Sequence, residues 1–136
     1  MKRLLALTLL ICTFLCLAAC GISDEPKDVR ANLKASGYKV KLYTADADFR
    51  SMLNQWDIDS DDVDAVLTAT GEDSDERLIV LFCEDEKSAK YAEADLIALL
   101  EGSDAETYFE DIEDICVERC GTVLCLGHKD MIKAAK

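Results

Sequence analysis

A continuous apolar run, Leu78–Cys83, is the feature that most restricts the fold of this chain. Six successive nonpolar residues without alternation are typical of a central strand that is covered on both of its faces. The preceding segment Val63–Thr70 also has the composition of a strand, and the polar stretch Gly71–Asp75 between them is rich in turn-forming residues. The two segments are therefore predicted to form a β-hairpin that contains this central strand.

Helical spacing, strand alternation and capping residues predict the other elements of residues 26–136. In chain order these are a helix to Ser36, a strand Tyr38–Tyr43, a helix from about Asp46 to Trp56, a helix capped by Asp85 to about Glu101, a short helix with Tyr108, Phe109 and Ile112, strands Ile115–Arg119 and Thr122–Gly127, and a helix from about Lys129. From Tyr38 onward this order is β-α-β-β-α-β. It predicts an α+β fold, a ferredoxin-like sandwich whose antiparallel sheet has helices on one face, with an extra N-terminal helix and a C-terminal hairpin and helix.

The N-terminal segment differs from the rest of the chain in charge and hydropathy. Lys2 and Arg3 precede Leu4–Ala19, sixteen residues without a charge. This run is shorter than the roughly 20 residues of a membrane-spanning helix and matches the apolar region of a signal peptide. We predict a leader at residues 1–19, a short tether at 20–25 and one folded domain at 26–136. A secretory signal cut elsewhere and a short membrane anchor are the alternatives.

The end of the leader, Leu17-Ala18-Ala19-Cys20, resembles the lipobox of bacterial lipoproteins. In that family the cysteine thiol receives a diacylglyceryl group, and a dedicated signal peptidase then cuts just before the cysteine. The resemblance implies that Cys20 is the lipidated first residue of the mature protein, which is then held at the cell membrane and faces outward.

Four segments of the domain are similar to small uncharacterised lipoproteins of Gram-positive bacteria. They are Gly37–Val40, Phe82–Ala89 and Gly121–Leu124, together with Gly127-His128-Lys129. These motifs are structural, and the family has no assigned activity. The resemblance therefore supports the fold and the location and implies no active residues.

The charge of the mature chain limits its partners. Residues 20–136 contain 13 of the 15 basic residues and all 28 acidic ones, so their formal net charge is −15. A domain of this charge is repelled by a phosphate backbone, which argues against nucleic-acid binding, and by anionic lipid headgroups. It favours a basic protein surface, a cationic peptide or divalent ions. The leading hypothesis is a membrane-anchored binding or accessory module for a cationic partner.

The cysteines support a second hypothesis, in which the domain contains a disulfide or a metal- or thiol-dependent site. A two-residue turn at Cys120-Gly121 would place Cys116 opposite Cys125, with Cα atoms about 4.5 Å apart, inside the range of a disulfide. The alternative is that both are small buried nonpolar residues. Cys116, Cys120, Cys125 and His128 could also form a metal- or thiol-dependent site, although ligands that alternate along strands would point to different sides.

Calcium binding and catalysis have weaker sequence support. Asp57, Asp59 and Asp61 begin like an EF-hand loop, but Asp62 replaces its glycine and Thr68 its final glutamate. A solvated acidic loop and weak calcium binding are both compatible with this pattern. The chain has no Gly-x-Ser-x-Gly, glycine-rich phosphate loop or His-Glu-x-x-His motif, so we expect neither an enzyme nor a cofactor.

Overall fold

The computed structural model describes residues 21–102 and 114–136. The described elements are α1 (Pro26–Ala35), β1 (Lys39–Tyr43), α2 (Ala47–Gln55), a 3₁₀ turn (Ser60–Asp62), β2 (Val63–Thr70), β3 (Arg77–Cys83), α3 (Glu86–Glu101), β4 (Ile115–Cys120), β5 (Val123–His128) and α4 (Lys129–Ala135). The predicted leader, Cys20 and the predicted short helix with Tyr108, Phe109 and Ile112 lie outside these residues.

The five described strands form one antiparallel sheet in the order β1-β2-β3-β5-β4. The apolar run Leu78–Cys83 belongs to β3, which pairs with β2 on one side and with β5 on the other. The predicted α+β class is confirmed. The order of helices and strands along the chain is compatible with a ferredoxin-like sandwich that carries the extra helices and hairpin.

Helices cover both faces of this sheet. On one face Val66, Leu81 and Leu124 pack with residues of α2 and α3, which we call the α2/α3 layer. On the other face Leu67 and Val80 pack with α1 and α4, the α1/α4 layer. The prediction of helices on one face therefore holds only for the central β-α-β-β-α-β segment, because the two extra helices cover the second face.

Local signals explain where the helices begin and end. Asp46 Oδ1 accepts a hydrogen bond from the Phe49 N–H at 2.8 Å, and Asp85 Oδ1 accepts one from the Ser88 N–H at 2.7 Å. Each bond satisfies a backbone donor that the first helical turn leaves without a partner. Gly37, with φ +89°, follows α1 in the left-handed conformation that ends many helices.

The β4–β5 hairpin has a different register from the predicted one. Cys120 pairs with Val123, so the turn is formed by Gly121 and Thr122, and Gly121 has φ +60°. A positive φ at this position is what a tight hairpin turn of this kind requires, and glycine adopts it without steric cost.

This register overturns the predicted disulfide. Cys116 lies opposite Gly127, and both Cys116 and Cys125 are free. Of the two alternatives, the possible Cys116–Cys125 disulfide is therefore wrong, because moving the turn by one residue along the chain separates the two positions.

Candidate functional site

Two acidic segments meet at the end of the sheet where β2 begins and β3 ends. The Glu84 N–H donates a hydrogen bond to the Asp62 carbonyl at 3.1 Å, and Ser88 Oγ donates one to Asp62 Oδ1 at 3.1 Å. These bonds hold residues 57–64 beside residues 84–86. We call this cluster the acidic end; it consists of Asp57, Asp59, Asp61, Asp62, Asp64, Glu84, Asp85 and Glu86.

The acidic end produces a negative electrostatic potential that contributes to the raised pKa values of neighbouring groups. Burial raises the pKa of the Cys83 thiol to about 11, and the carboxylates of Asp62 and Asp64 contribute to the rise. Burial, and then the charge of Asp57, also raise the pKa of Asp95 on α3. A field of this sign attracts cations and is weakened by salt.

The carboxylates of the acidic end divide into two groups. Asp59 Oδ1 accepts a hydrogen bond from the Asp61 N–H at 3.0 Å, and Asp62 and Asp85 are engaged with Ser88. The hydrogen bonds from Ser88 hold the pKa of Asp85 below its ordinary value. The second group is exposed, and its carboxylates make no hydrogen bond or ion pair with another described residue; it consists of Asp57, Asp61, Asp64, Glu84 and Glu86.

The structure does not assemble the calcium candidates into a metal site. Asp57 has φ +56°, and the Asp59 carboxylate is occupied by the Asp61 N–H. Within residues 21–102 and 114–136, no group of three or more His, Cys, Asp or Glu is placed to hold a metal ion. In the described structure the Asp59 carboxylate stabilises the loop, and the carboxylates of Asp57 and Asp61 contribute to the local negative charge.

The cysteine candidates lie on one face of the β4–β5 hairpin, contrary to the expectation that they would point to different sides. Cys116 and Cys120 flank Glu118 along β4, and Glu118 lies opposite Cys125, whereas His128 pairs with Ile115 and belongs to the other face. Cys120 is disulfide-bonded.

The free thiols of the hairpin are poorly suited to nucleophilic or metal chemistry. Burial raises the pKa of Cys125 to about 12 and also raises the pKa of Cys116. Because the thiolate is the reactive and metal-binding form, these environments disfavour both kinds of chemistry at neutral pH. The described residues thus give no support to a metal- or thiol-dependent site.

His128 has a structural contact. Its Nδ1 accepts a hydrogen bond from the Arg77 N–H at 3.0 Å, which joins the end of β5 to the start of β3. Although His128 stands at the N-cap position of α4, its side chain makes no capping hydrogen bond there.

A groove on the α2/α3 side of the sheet was not predicted from the sequence. It has a volume of about 260 Å³ and lies near the β2–β3 hairpin, bordered by Trp56, Thr68, Thr70, Arg77 and Ile79. The alternation of Thr68 and Thr70 along β2 is the signal that could have indicated a partly uncovered strip. The groove is smaller than the roughly 300 Å³ at which small-molecule sites usually begin, so we assign it no ligand.

The described chain begins on the α1/α4 layer. A Cβ atom placed on Gly21 would lie 3.6 Å from the Lys136 side chain, and Ile22 packs against the core of that layer. In the part of the chain that is described, none of the helices combines the length and hydropathy needed to cross a bilayer.

Comparisons with protein-family models, with curated proteins and with solved structures each found no match to this chain. The residues and geometry of the chain itself are therefore the basis for a functional proposal.

Proposed function

We propose that this protein is a lipid-anchored, outward-facing membrane protein whose folded domain is a binding or accessory module for a cationic protein or peptide. The observation that carries the proposal is the acidic end. There, five exposed carboxylates have no partner among the described residues: Asp57, Asp61, Asp64, Glu84 and Glu86.

Anchoring is supported by the leader and its lipobox. A diacylated or triacylated Cys20 would hold the protein stably, because two or more acyl chains on one residue bind a bilayer far more firmly than one. Cys20 directly precedes Gly21, which lies on the surface of the α1/α4 layer. The tether between the lipid and the domain is therefore short.

Binding to a cation is supported by how the acidic end is built. Its two segments are fixed to each other by the Glu84–Asp62 and Ser88–Asp62 hydrogen bonds. A fixed arrangement of charges costs less entropy on binding than a mobile one. Each exposed ion pair contributes only about 0.2–1 kcal/mol, so a partner would need to engage several of these carboxylates at once.

The test compares two variants with the same loss of charge. The first removes four of the exposed carboxylates of the acidic end, and the second removes three from the turn between β2 and β3 and one from the end of α3. The first set is Asp61→Asn, Asp64→Asn, Glu84→Gln and Glu86→Gln. The matched control is Asp73→Asn, Asp75→Asn, Glu72→Gln and Glu101→Gln.

The full chain, reconstituted in phosphatidylcholine vesicles, is titrated with a fluorescent oligolysine peptide. We expect the acidic-end variant to bind about tenfold more weakly than the wild type, which corresponds to about 1.4 kcal/mol, and the control to change much less. An equal loss in both variants would show that only total charge matters and would contradict a specific surface. Circular dichroism verifies that both variants fold.

The same pair of variants tests the proposal in cells. Chemical cross-linking should join the wild-type protein and the control to a basic protein, and the acidic-end variant should lose this product. Retention of the product by the acidic-end variant would place the contact elsewhere on the domain.

A further inference from the structure

The charge of this acidic protein is unevenly distributed between its layers. Helices α1 and α4 contain five basic residues and two acidic ones, whereas the rest of residues 20–136 contains eight basic and 26 acidic residues. These two helices are therefore positively charged although the chain as a whole is strongly negative.

The basic side chains of α1 form one exposed stripe. Lys27, Arg30 and Lys34 are exposed and follow the spacing i, i+3, i+7, whereas Val29 and Leu33 face the sheet and are fully buried. This spacing places the three cations together on the side of the helix that faces away from the core.

Helix α4 extends the positive surface, and the acidic residues of the two helices have local partners. Lys129 and Lys133 are exposed on α4. Asp28 accepts a hydrogen bond from Ser23 Oγ at 3.1 Å, and Asp130 lies 4.0 Å from the Lys133 ammonium. The two helices are joined by Asn32, whose Nδ2 donates to the Ala135 carbonyl at 3.3 Å.

This layer is also where the chain leaves toward its anchor. Gly21 lies against the Lys136 side chain, and Cys20 is the next residue toward the N-terminus. A lipid on Cys20 would therefore bring the α1/α4 layer to the headgroup region before any other surface of the described domain.

We propose that the α1/α4 layer lies on the membrane and binds anionic phospholipid headgroups, so that the α2/α3 layer faces outward. This rests on the proposed anchoring at Cys20. Overall charge argues against contact with anionic lipid, but salt screens charges beyond about 8 Å, and the sheet separates the α2/α3 layer from the membrane. The basic residues nearest the headgroups therefore determine the local interaction.

Amine labelling of the wild-type chain tests this orientation without any substitution. The full lipidated chain is reconstituted in vesicles of phosphatidylcholine alone or of an equimolar mixture of phosphatidylcholine and phosphatidylglycerol. A water-soluble amine-acetylating reagent is added, and modification of each lysine is measured by mass spectrometry. Lys27, Lys34 and Lys133 report on the α1/α4 layer, and Lys87 and Lys90 on α3 serve as internal controls.

On anionic vesicles we expect acetylation of the three α1/α4 lysines to fall about fivefold relative to neutral vesicles, with no change at Lys87 and Lys90. Raising the salt from about 0.1 M to about 1 M should remove the protection, because the Debye length falls from about 10 Å to about 3 Å. Equal labelling of these lysines on both kinds of vesicle would overturn the proposal.

A pair of charge-matched variants provides a second measurement. The first is Lys27→Gln, Arg30→Gln and Lys34→Gln, and the control is Arg50→Gln, Lys87→Gln and Lys90→Gln. We expect the first variant to lose the protection of Lys133 on anionic vesicles and the control to keep it. Persistent protection in the first variant would contradict a role for the α1 stripe.

Vesicle flotation separates failure of this proposal from failure of the anchoring. A chain that floats with both kinds of vesicle but is labelled equally on them is anchored without a preferred face, and only the orientation is overturned. A chain that floats with neither and carries no acyl mass on Cys20 overturns both proposals.

Discussion

Glu118 lies directly opposite Cys125 in the β4–β5 hairpin, at the position that the predicted disulfide required for Cys116. Glu118 Oε1 also forms an ion pair with Lys136 Nζ at 2.9 Å, which joins β4 to the last described residue. Cys125 is fully buried beside this pair, whereas Cys116 is half-buried. The two thiols therefore have unlike environments and no bond to each other.

This difference predicts the order in which the thiols react. With iodoacetamide at neutral pH, Cys116 should be alkylated first, because Cys83 and Cys125 are buried and their pKa values are raised to about 11 and about 12. In denaturant all three should react at similar rates. Peptide mass mapping follows each site, and recovery of a Cys116–Cys125 linked peptide from a non-reducing digest would contradict the observed register.

Gly127 is predicted to be intolerant of a side chain. A Cβ atom there would collide with the Arg77 carbonyl oxygen and lie 2.7 Å from Leu78 Cα, because β5 and β3 pass closely at this pair. Gly127→Ala should lower the free energy of unfolding by about 1–3 kcal/mol in a urea titration.

Gly102→Ala is the matched control for that substitution. Its added Cβ would lie 3.4 Å from the nearest carbonyl oxygens, those of Ala98 and Leu99, and φ at Gly102 is −79°. The change in stability should therefore be small. Equal effects of the two substitutions would show that strand proximity at Gly127 is not what limits this position.

Local signals in the sequence predict most of the element boundaries, because each depends on neighbouring residues. Asp85 is a cap followed by a helical pattern, and the structure has α3 at Glu86–Glu101, as predicted. Val63–Thr70 has both of its predicted ends. In these cases the decisive interaction spans fewer than about five residues.

The β4–β5 register could not be determined from the same kind of signal. The five residues Val123–Gly127 are all buried, so β5 has no polar alternation that would assign its side chains to one face or the other. The pattern of β5 therefore does not distinguish a turn at Cys120-Gly121 from a turn at Gly121-Thr122. The contact between α1 and α4 also could not be predicted from local signals, because Asn32 and Ala135, whose hydrogen bond joins the two helices, are 103 residues apart in the sequence.

The acidic end also was only half predicted. Residues 57–62 form an evident acidic loop, and Glu84–Glu86 precede a helix, but nothing in the sequence indicates that the two segments touch. Their contact depends on the pairing of Val63 with Cys83 across the β2–β3 hairpin. The candidate site is thus a product of strand register.

Asp85 predicts a pH dependence of stability. Its pKa is lowered in the folded state, chiefly by hydrogen bonds from Ser88, so its contribution is present above the unfolded value of about 3.9 and is lost as the pH falls through the folded value. The wild type should have a higher Tm than Asp85→Asn at neutral pH, and the difference should vanish in acid. The control Asp73→Asn removes one exposed charge without a cap, and a constant Tm difference for Asp85→Asn at every pH would contradict this mechanism.

Ser88 is predicted to hold the acidic end together. The residue is 6% exposed, and its hydroxyl donates to Asp62 Oδ1. Ser88→Ala should lower the free energy of unfolding by about 1 kcal/mol in a urea titration, because Asp62 loses its buried donor. Ser74→Ala, which removes an exposed hydroxyl bonded to Glu76, should change stability by less than about 0.5 kcal/mol. Equal effects would argue that the Ser88–Asp62 bond contributes nothing specific.

The mass of the N-terminal peptide, measured on protein extracted from the membrane fraction of the cells that express the full chain, tests the anchoring on which both proposals depend. We predict a peptide that begins at Cys20 and carries the added mass of a diacylglyceryl group. A peptide that begins at any other residue, or an unmodified Cys20, would contradict it.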